Sequence, residues 1–114
     1  LTVTAPTLTD LEGKPLISAV QGEPVMLVSN ITNVGFRSQS FLYIVQIKDL
    51  RGRVVYMSFI QGSIQPDKTV SLGIAWAPER FGTYTVEVFT WESWEKPTPL
   101  SEPAEAEVVI AFKP

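Results

Sequence analysis

The stretch FGTYTVEV, Phe81 to Val88, sets Tyr84, Val86 and Val88 at every second position with Thr85 and Glu87 between them. Successive side chains of an extended backbone leave opposite faces, so this alternation is what a strand with one buried face requires. The same period recurs along the chain. VMLVSNI aligns Val25, Leu27, Ser29 and Ile31; FLYIVQIKD aligns Phe41, Tyr43, Val45 and Ile47; TVSLGIAWA aligns Val70, Leu72, Ile74 and Trp76. AEAEVVIAF aligns Ala104, Ala106, Val108, Ile110 and Phe112. RVVYMSFI is apolar almost without interruption and reads as a further strand whose faces the pattern does not assign. LTVTA and PLISAV, near the start, read as one split first strand. No segment sustains a 3.6-residue period, so helix is expected to be almost absent.

Turn residues separate these runs. DLRGR, Asp49 to Arg53, offers Gly52 where a short hairpin loop needs positive φ, joining a strand that ends at Lys48 to one that starts at Val54. QPDK, Gln65 to Lys68, places Pro66 where a type I turn wants a fixed φ. APERFG, Ala77 to Gly82, reads as a longer crossing between two strong strands. Seven to eight short antiparallel strands without helix predict an all-β, two-sheet sandwich or a small barrel, formed by residues 1–114 as one domain. Residues 1–19 are then a split first strand or a linker strand donated to a neighbour, and the chain's own first strand is the simpler reading.

Composition narrows the chemistry. With 114 residues, 45% of them hydrophobic and 18% charged, the chain suffices for a single core. A net charge of −3 with basic residues scattered from Lys14 to Lys113 gives no basic patch for nucleic acid. No apolar run approaches the roughly 18 residues of a membrane helix, so no membrane insertion by this segment is expected. The chain has no cysteine and no histidine. That removes disulfides, Ser-His and Cys-His nucleophiles, and thiolate or imidazole metal sites. Nor does any pair of acids suggest a glycosidase cleft. The expectation is no catalysis, no cofactor and no metal. A start at Leu1 rather than Met suggests a mature product or an excised piece.

Tyr84, two residues after Gly82 at the head of a penultimate strand, resembles a tyrosine corner, in which the hydroxyl bonds backbone a few residues upstream. Together with NITNVGFRSQSF, SIQPDKTVSLGIAWAP and GTYTVEVFTWES, it gives residues 20–112 a resemblance to the Ig-like or fibronectin type III-like sandwiches repeated in archaeal and bacterial secreted and cell-surface proteins, including the cell-adhesion-related type. The resemblance implies an extracellular or cell-surface location and a non-catalytic structural module. An accessory domain of a secreted enzyme is an alternative. Trp76, on the inward parity, is expected to be structural, filling the core with Tyr43 and Phe41.

The outward parity carries the candidate contacts. Leu42 and Ile44 oppose the core set of their strand, and Phe89 and Trp91 oppose that of theirs. Because these strands are neighbours in an Ig-like sheet, the four side chains should share an outer face with Tyr56 or Met57. A contiguous exposed apolar patch marks contact with another domain or another copy; the alternative is that the following loop, WESWEKPTPL, folds back and covers it. Trp94 lies in that loop. A platform of Trp91 and Trp94 for a sugar ring is a glycan-binding alternative, with Glu92 or Glu95 as acceptors. Glu92, Glu95 and Glu102 share the loop but lack a calcium-loop pattern and read as solvated charge. Asn30-Ile31-Thr32 is a glycosylation acceptor triplet with Asn30 on the outward parity.

Overall fold

A computed structural model describes residues 1–114. Nine strands form two facing sheets: β1 (Thr2–Val3), β2 (Thr7–Thr9), β3 (Ala19–Val20), β4 (Val25–Thr32), β5 (Gln39–Lys48), β6 (Val54–Ile64), β7 (Thr69–Trp76), β8 (Gly82–Trp91) and β9 (Ala104–Ala111). In the first sheet β4 is central, with β7 on one edge and β1 and β2 sharing the other; the second runs β3-β9-β8-β5-β6. No helix is present, and the predicted all-β sandwich is what forms.

The inward rows face each other between the sheets. Leu27, Ile31, Tyr43, Val45, Ile47, Val86 and Val88 are all completely buried. They alternate with more exposed neighbours because one face of each strand meets the opposite sheet. Trp76 meets Tyr84 edge-on at 5.2 Å. The Tyr84 hydroxyl donates to the Arg80 carbonyl at 2.8 Å, so the corner that the sequence suggested is formed. Phe112 departs from its expected inward place. β9 ends at Ala111, and Phe112 lies exposed on the outside, its ring edge-on to Phe81 at 5.3 Å.

The first strand is split more deeply than the sequence suggests. β1 and β2, separated around Pro6, both pair antiparallel with β4, so the amino-terminal segment completes its own sheet. The Asp10 carboxylate then accepts from the Glu12 and Lys14 amides, both at 2.9 Å, and Gly13 adopts a φ of +91°. This turn sends the chain across the sandwich, where β3 pairs with β9 in parallel. PLISAV therefore does not continue the strand begun by LTVTA. It supplies the edge of the other sheet and one parallel pair in an otherwise antiparallel fold.

Two turns fix the functional strands. Gly52 takes a φ of +79° and its amide donates to the Asp49 carbonyl at 3.0 Å, closing the β5–β6 hairpin as expected. Lys48 pairs with Val54 and Ile47 with Tyr56, which leaves Val55 as a one-residue bulge. Between β6 and β7, Asp67 has a φ of +60°. With Pro66 before it, this is the geometry of a type II turn rather than the expected type I, because positive φ falls on the third residue. Aspartate tolerates that conformation, and the Asp67 amide is bonded to the Asn33 carbonyl at 2.8 Å.

Asn33 is the polar pin of this end of the sandwich, only 3% exposed. Its side-chain amide donates to the carbonyls of Ile64 (2.9 Å) and Arg37 (2.8 Å) and its side-chain oxygen accepts from the Gly35 amide at 2.9 Å. It thus ties the start of β5 and the end of β6 to the end of β4.

Candidate interaction surface

In the second sheet β5 lies between β6 and β8. Leu42 sits opposite Trp91 on β8 and Gln61 on β6, and Ile44 sits opposite Phe89 and Phe59. The sequence thus placed Leu42, Ile44, Phe89 and Trp91 correctly on one outward face. It did not foresee their burial: Leu42 is 0% and Ile44 4% exposed, and Phe89 and Trp91 are half-buried. Leu42 and Ile44 are sealed beneath their own domain and cannot themselves meet a partner.

The loop after β8 supplies the seal. Trp91 bridges to Pro99, the Glu92 amide donates to Thr98 at 3.0 Å, and the Leu100 amide donates to Thr90 at 2.7 Å. At the tip the Ser93 amide bonds the Lys96 carbonyl at 3.1 Å, and the Lys96 ammonium sits 3.3 Å from Glu92. The loop is therefore a hydrogen-bonded extension of β8 that turns back on itself. Its geometry brings Trp94 edge-on to Phe59 at 5.3 Å and to Trp91 at 6.2 Å, while Trp91 tilts against Phe89 at 6.4 Å. Such contacts add to the area they bury.

The cover is itself apolar. Trp94 is 43%, Phe59 50% and Met57 56% exposed, so a ridge of three large side chains stands where the deeper face was expected. Of the pair Tyr56 and Met57, only Met57 looks outward. Tyr56 faces between the sheets, and its hydroxyl donates to the Ala75 carbonyl at 3.1 Å. Sequence reasoning missed Phe59 because the unbroken apolar run assigned no parity. Counting forward from the Gly52 hairpin would have found it only after allowing for the bulge at Val55.

The remaining sequence candidates are dispersed. Trp91 and Trp94 meet with their planes at 89°, so the two rings form no coplanar platform for a sugar. Asn30 is exposed, but it lies mid-strand between β1 and β7, its side-chain oxygen accepting from the Ser71 hydroxyl at 2.7 Å. Three acidic groups converge nowhere in the chain. A cavity of about 500 Å³ lies elsewhere, an open groove between β6 and β7 lined by Val55, Tyr56, Trp76, Glu79, Arg80 and Tyr84.

Compared with known families, the chain matches the S-layer A-like family over residues 1–111. The chain belongs to that family. Membership implies a cell-surface location for the S-layer A-like domain. No curated protein matches it. Among solved structures it is similar to the C-terminal domain of Wzt (TM-score 0.78, 10% identity, covering 98% of this chain and 75% of that one). It is also similar to the CARDB domain of a Pyrococcus furiosus protein solved in complex with di-metal ions (TM-score 0.65, 17% identity, 99% of this chain and 100% of that one). A β-glucuronidase of glycoside hydrolase family 2 also matches (TM-score 0.64, 18% identity); 80% of the S-layer A-like domain is covered, and it spans 10% of that chain. At these identities the likeness is one of fold, an Ig-like β-domain.

Proposed function

We propose that this S-layer A-like domain is a non-catalytic structural module of an exported cell-surface protein, and that it contacts a neighbouring domain or another copy through the Met57–Phe59–Trp94 ridge. One observation carries the reading. A loop held by its own hydrogen bonds presents Trp94 beside Phe59 on the outer face of a sheet, with all three ridge residues 43–56% exposed. Large apolar side chains clustered on a surface gain most by leaving water together, and aromatic residues anchor protein interfaces. The family supports the cell-surface setting.

The test is sedimentation of the intact chain over a wide concentration range. Trp94→Lys and Phe59→Lys should weaken association, while Leu50→Lys, at the exposed tip of the distant β5–β6 hairpin, should not. Equal behaviour of all three removes the ridge from the reading. Specific oligosaccharide binding that is lost in Trp94→Ala would favour the glycan-binding alternative. The accessory-domain alternative draws on the likeness to a β-glucuronidase and requires a catalytic domain elsewhere in the same polypeptide.

A further inference from the structure

The free edges of the two sheets are unequal. The β1–β2 edge is interrupted at Pro6, and β3 is two residues long. The outer side of β7 is engaged where the Tyr56 hydroxyl takes the Ala75 carbonyl. β7 is also free of charge and proline but is shorter, at eight residues, and β6 is the longest free edge. It is 11 residues long, ends its sheet, and carries no charge and no proline from Val54 to Ile64. Edge strands normally carry charges, prolines or short lengths, because their unpaired amides and carbonyls otherwise recruit another strand.

The side chains of β6 say which strand fits. The bulge at Val55 ends regular pairing on one side, and the polar Gln61-Gly62-Ser63 ends the apolar run on the other. Between them lies Tyr56-Met57-Ser58-Phe59-Ile60, which keeps the same order of apolar and polar residues in either direction about Ser58. An antiparallel strand of the same sequence, centred on Ser58, sets Tyr56 against Ile60 and Met57 against Phe59 of the second copy. Each apolar side chain then meets an apolar side chain on its own face, and no like charges oppose each other. A shift by one residue would turn the outer row inward, and a shift by two would set Ser58 against Ile60 or Tyr56, so pairing about Ser58 is the register that matches apolar with apolar.

We propose that β6 is the contact edge of a twofold dimer, in which two copies pair antiparallel about Ser58 and join their five-stranded sheets into one. The arrangement is isologous, the same edge on both copies. It extends the surface reading above and rests on it in part. The two Met57–Phe59–Trp94 ridges lie on the same outer face and become one continuous apolar strip across the new seam.

The chain has no cysteine, so a single introduced thiol reports the register. In Ser58→Cys the two α-carbons face each other at about 4.5–5.5 Å across an antiparallel pair, within disulfide reach. In Gln61→Cys they stand about 20 Å apart, at roughly 3.3 Å per residue. Mild oxidation of the folded chain should convert Ser58→Cys to a covalent dimer at least tenfold faster than Gln61→Cys. Equal rates, or no dimer from Ser58→Cys, overturn the pairing. Weaker association of Trp94→Lys without a cross-link in Ser58→Cys leaves the ridge reading standing and removes the edge dimer. Cross-linking at position 58 with no effect of Trp94→Lys does the reverse.

Discussion

Trp94 stands edge-on to Phe59, ring centroids 5.3 Å apart and planes at 83°, and so ties the loop after β8 to the far edge strand of the same sheet. The contact spans β5, which lies between, and it completes the cover over Leu42 and Ile44. The loop's own hydrogen bonds hold its shape, so the indole is what fastens it to the sheet. Trp94→Ala should expose Leu42 and lower stability by about 1–2 kcal/mol, roughly half of a full tryptophan burial since the ring is partly exposed. An unchanged urea midpoint would show that the loop contributes no cover in solution.

The Tyr84 hydroxyl bond to Arg80 fastens the crossing from β7 to the head of β8. Tyr84→Phe keeps the ring against Trp76 and removes only the hydroxyl. The expected loss is about 1 kcal/mol, the net contribution of one hydrogen bond. Trp76→Ala removes the ring contact as well and should cost about 3–5 kcal/mol as a core cavity. Similar losses for the two variants would assign the corner's strength to the hydroxyl rather than to packing.

Most of the inner rows were legible because alternation is a local property. Val25, Leu27, Ser29 and Ile31 each find the opposite sheet, and Gly52 needs only its own hairpin. What was not legible depends on partners distant in sequence. Period-2 reading says which side Leu42 and Ile44 face, but not whether that side is covered; the cover comes from Trp94, placed by a loop whose fold is set by its own backbone bonds. β3 changes sheet because β9 offers it a parallel edge, which two residues, Ala19 and Val20, cannot announce. Phe59 was hidden by the bulge at Val55, and the Gln65–Lys68 turn changed type because Asn33 holds the Asp67 amide.

Tyr43 and Ser29, one from each sheet, are buried at 0% and 1% exposure with no hydrogen-bond partner for either hydroxyl. Burial pushes the Tyr43 pKa up. A buried hydroxyl left unpaired costs about 1–3 kcal/mol. Tyr43→Phe retains the ring and removes that cost, so it should raise stability by about 1 kcal/mol. A lower urea midpoint in Tyr43→Phe would mean that the hydroxyl is satisfied after all.

Glu87 on β8 faces Lys48 and Gln46 on β5, its carboxylate 3.0 Å from the ammonium and 3.1 Å from the amide that donates to it. Partial burial pushes its pKa up, but these two groups together outweigh that and hold it below the ordinary glutamate range. A carboxylate with a lowered folded pKa binds fewer protons folded than unfolded. Its contribution is therefore complete above the unfolded pKa of about 4.3 and is lost as pH falls through the folded one. Asp49 acts in the same direction, its pKa lowered chiefly by the Arg53 amide. Stability should thus fall on acidification below about pH 4–5. Glu87→Gln should leave a shallower acid slope, and Asp49 should account for part of what remains. Parallel slopes for wild type and Glu87→Gln would show that the Lys48 pair is screened by solvent and contributes nothing to folding.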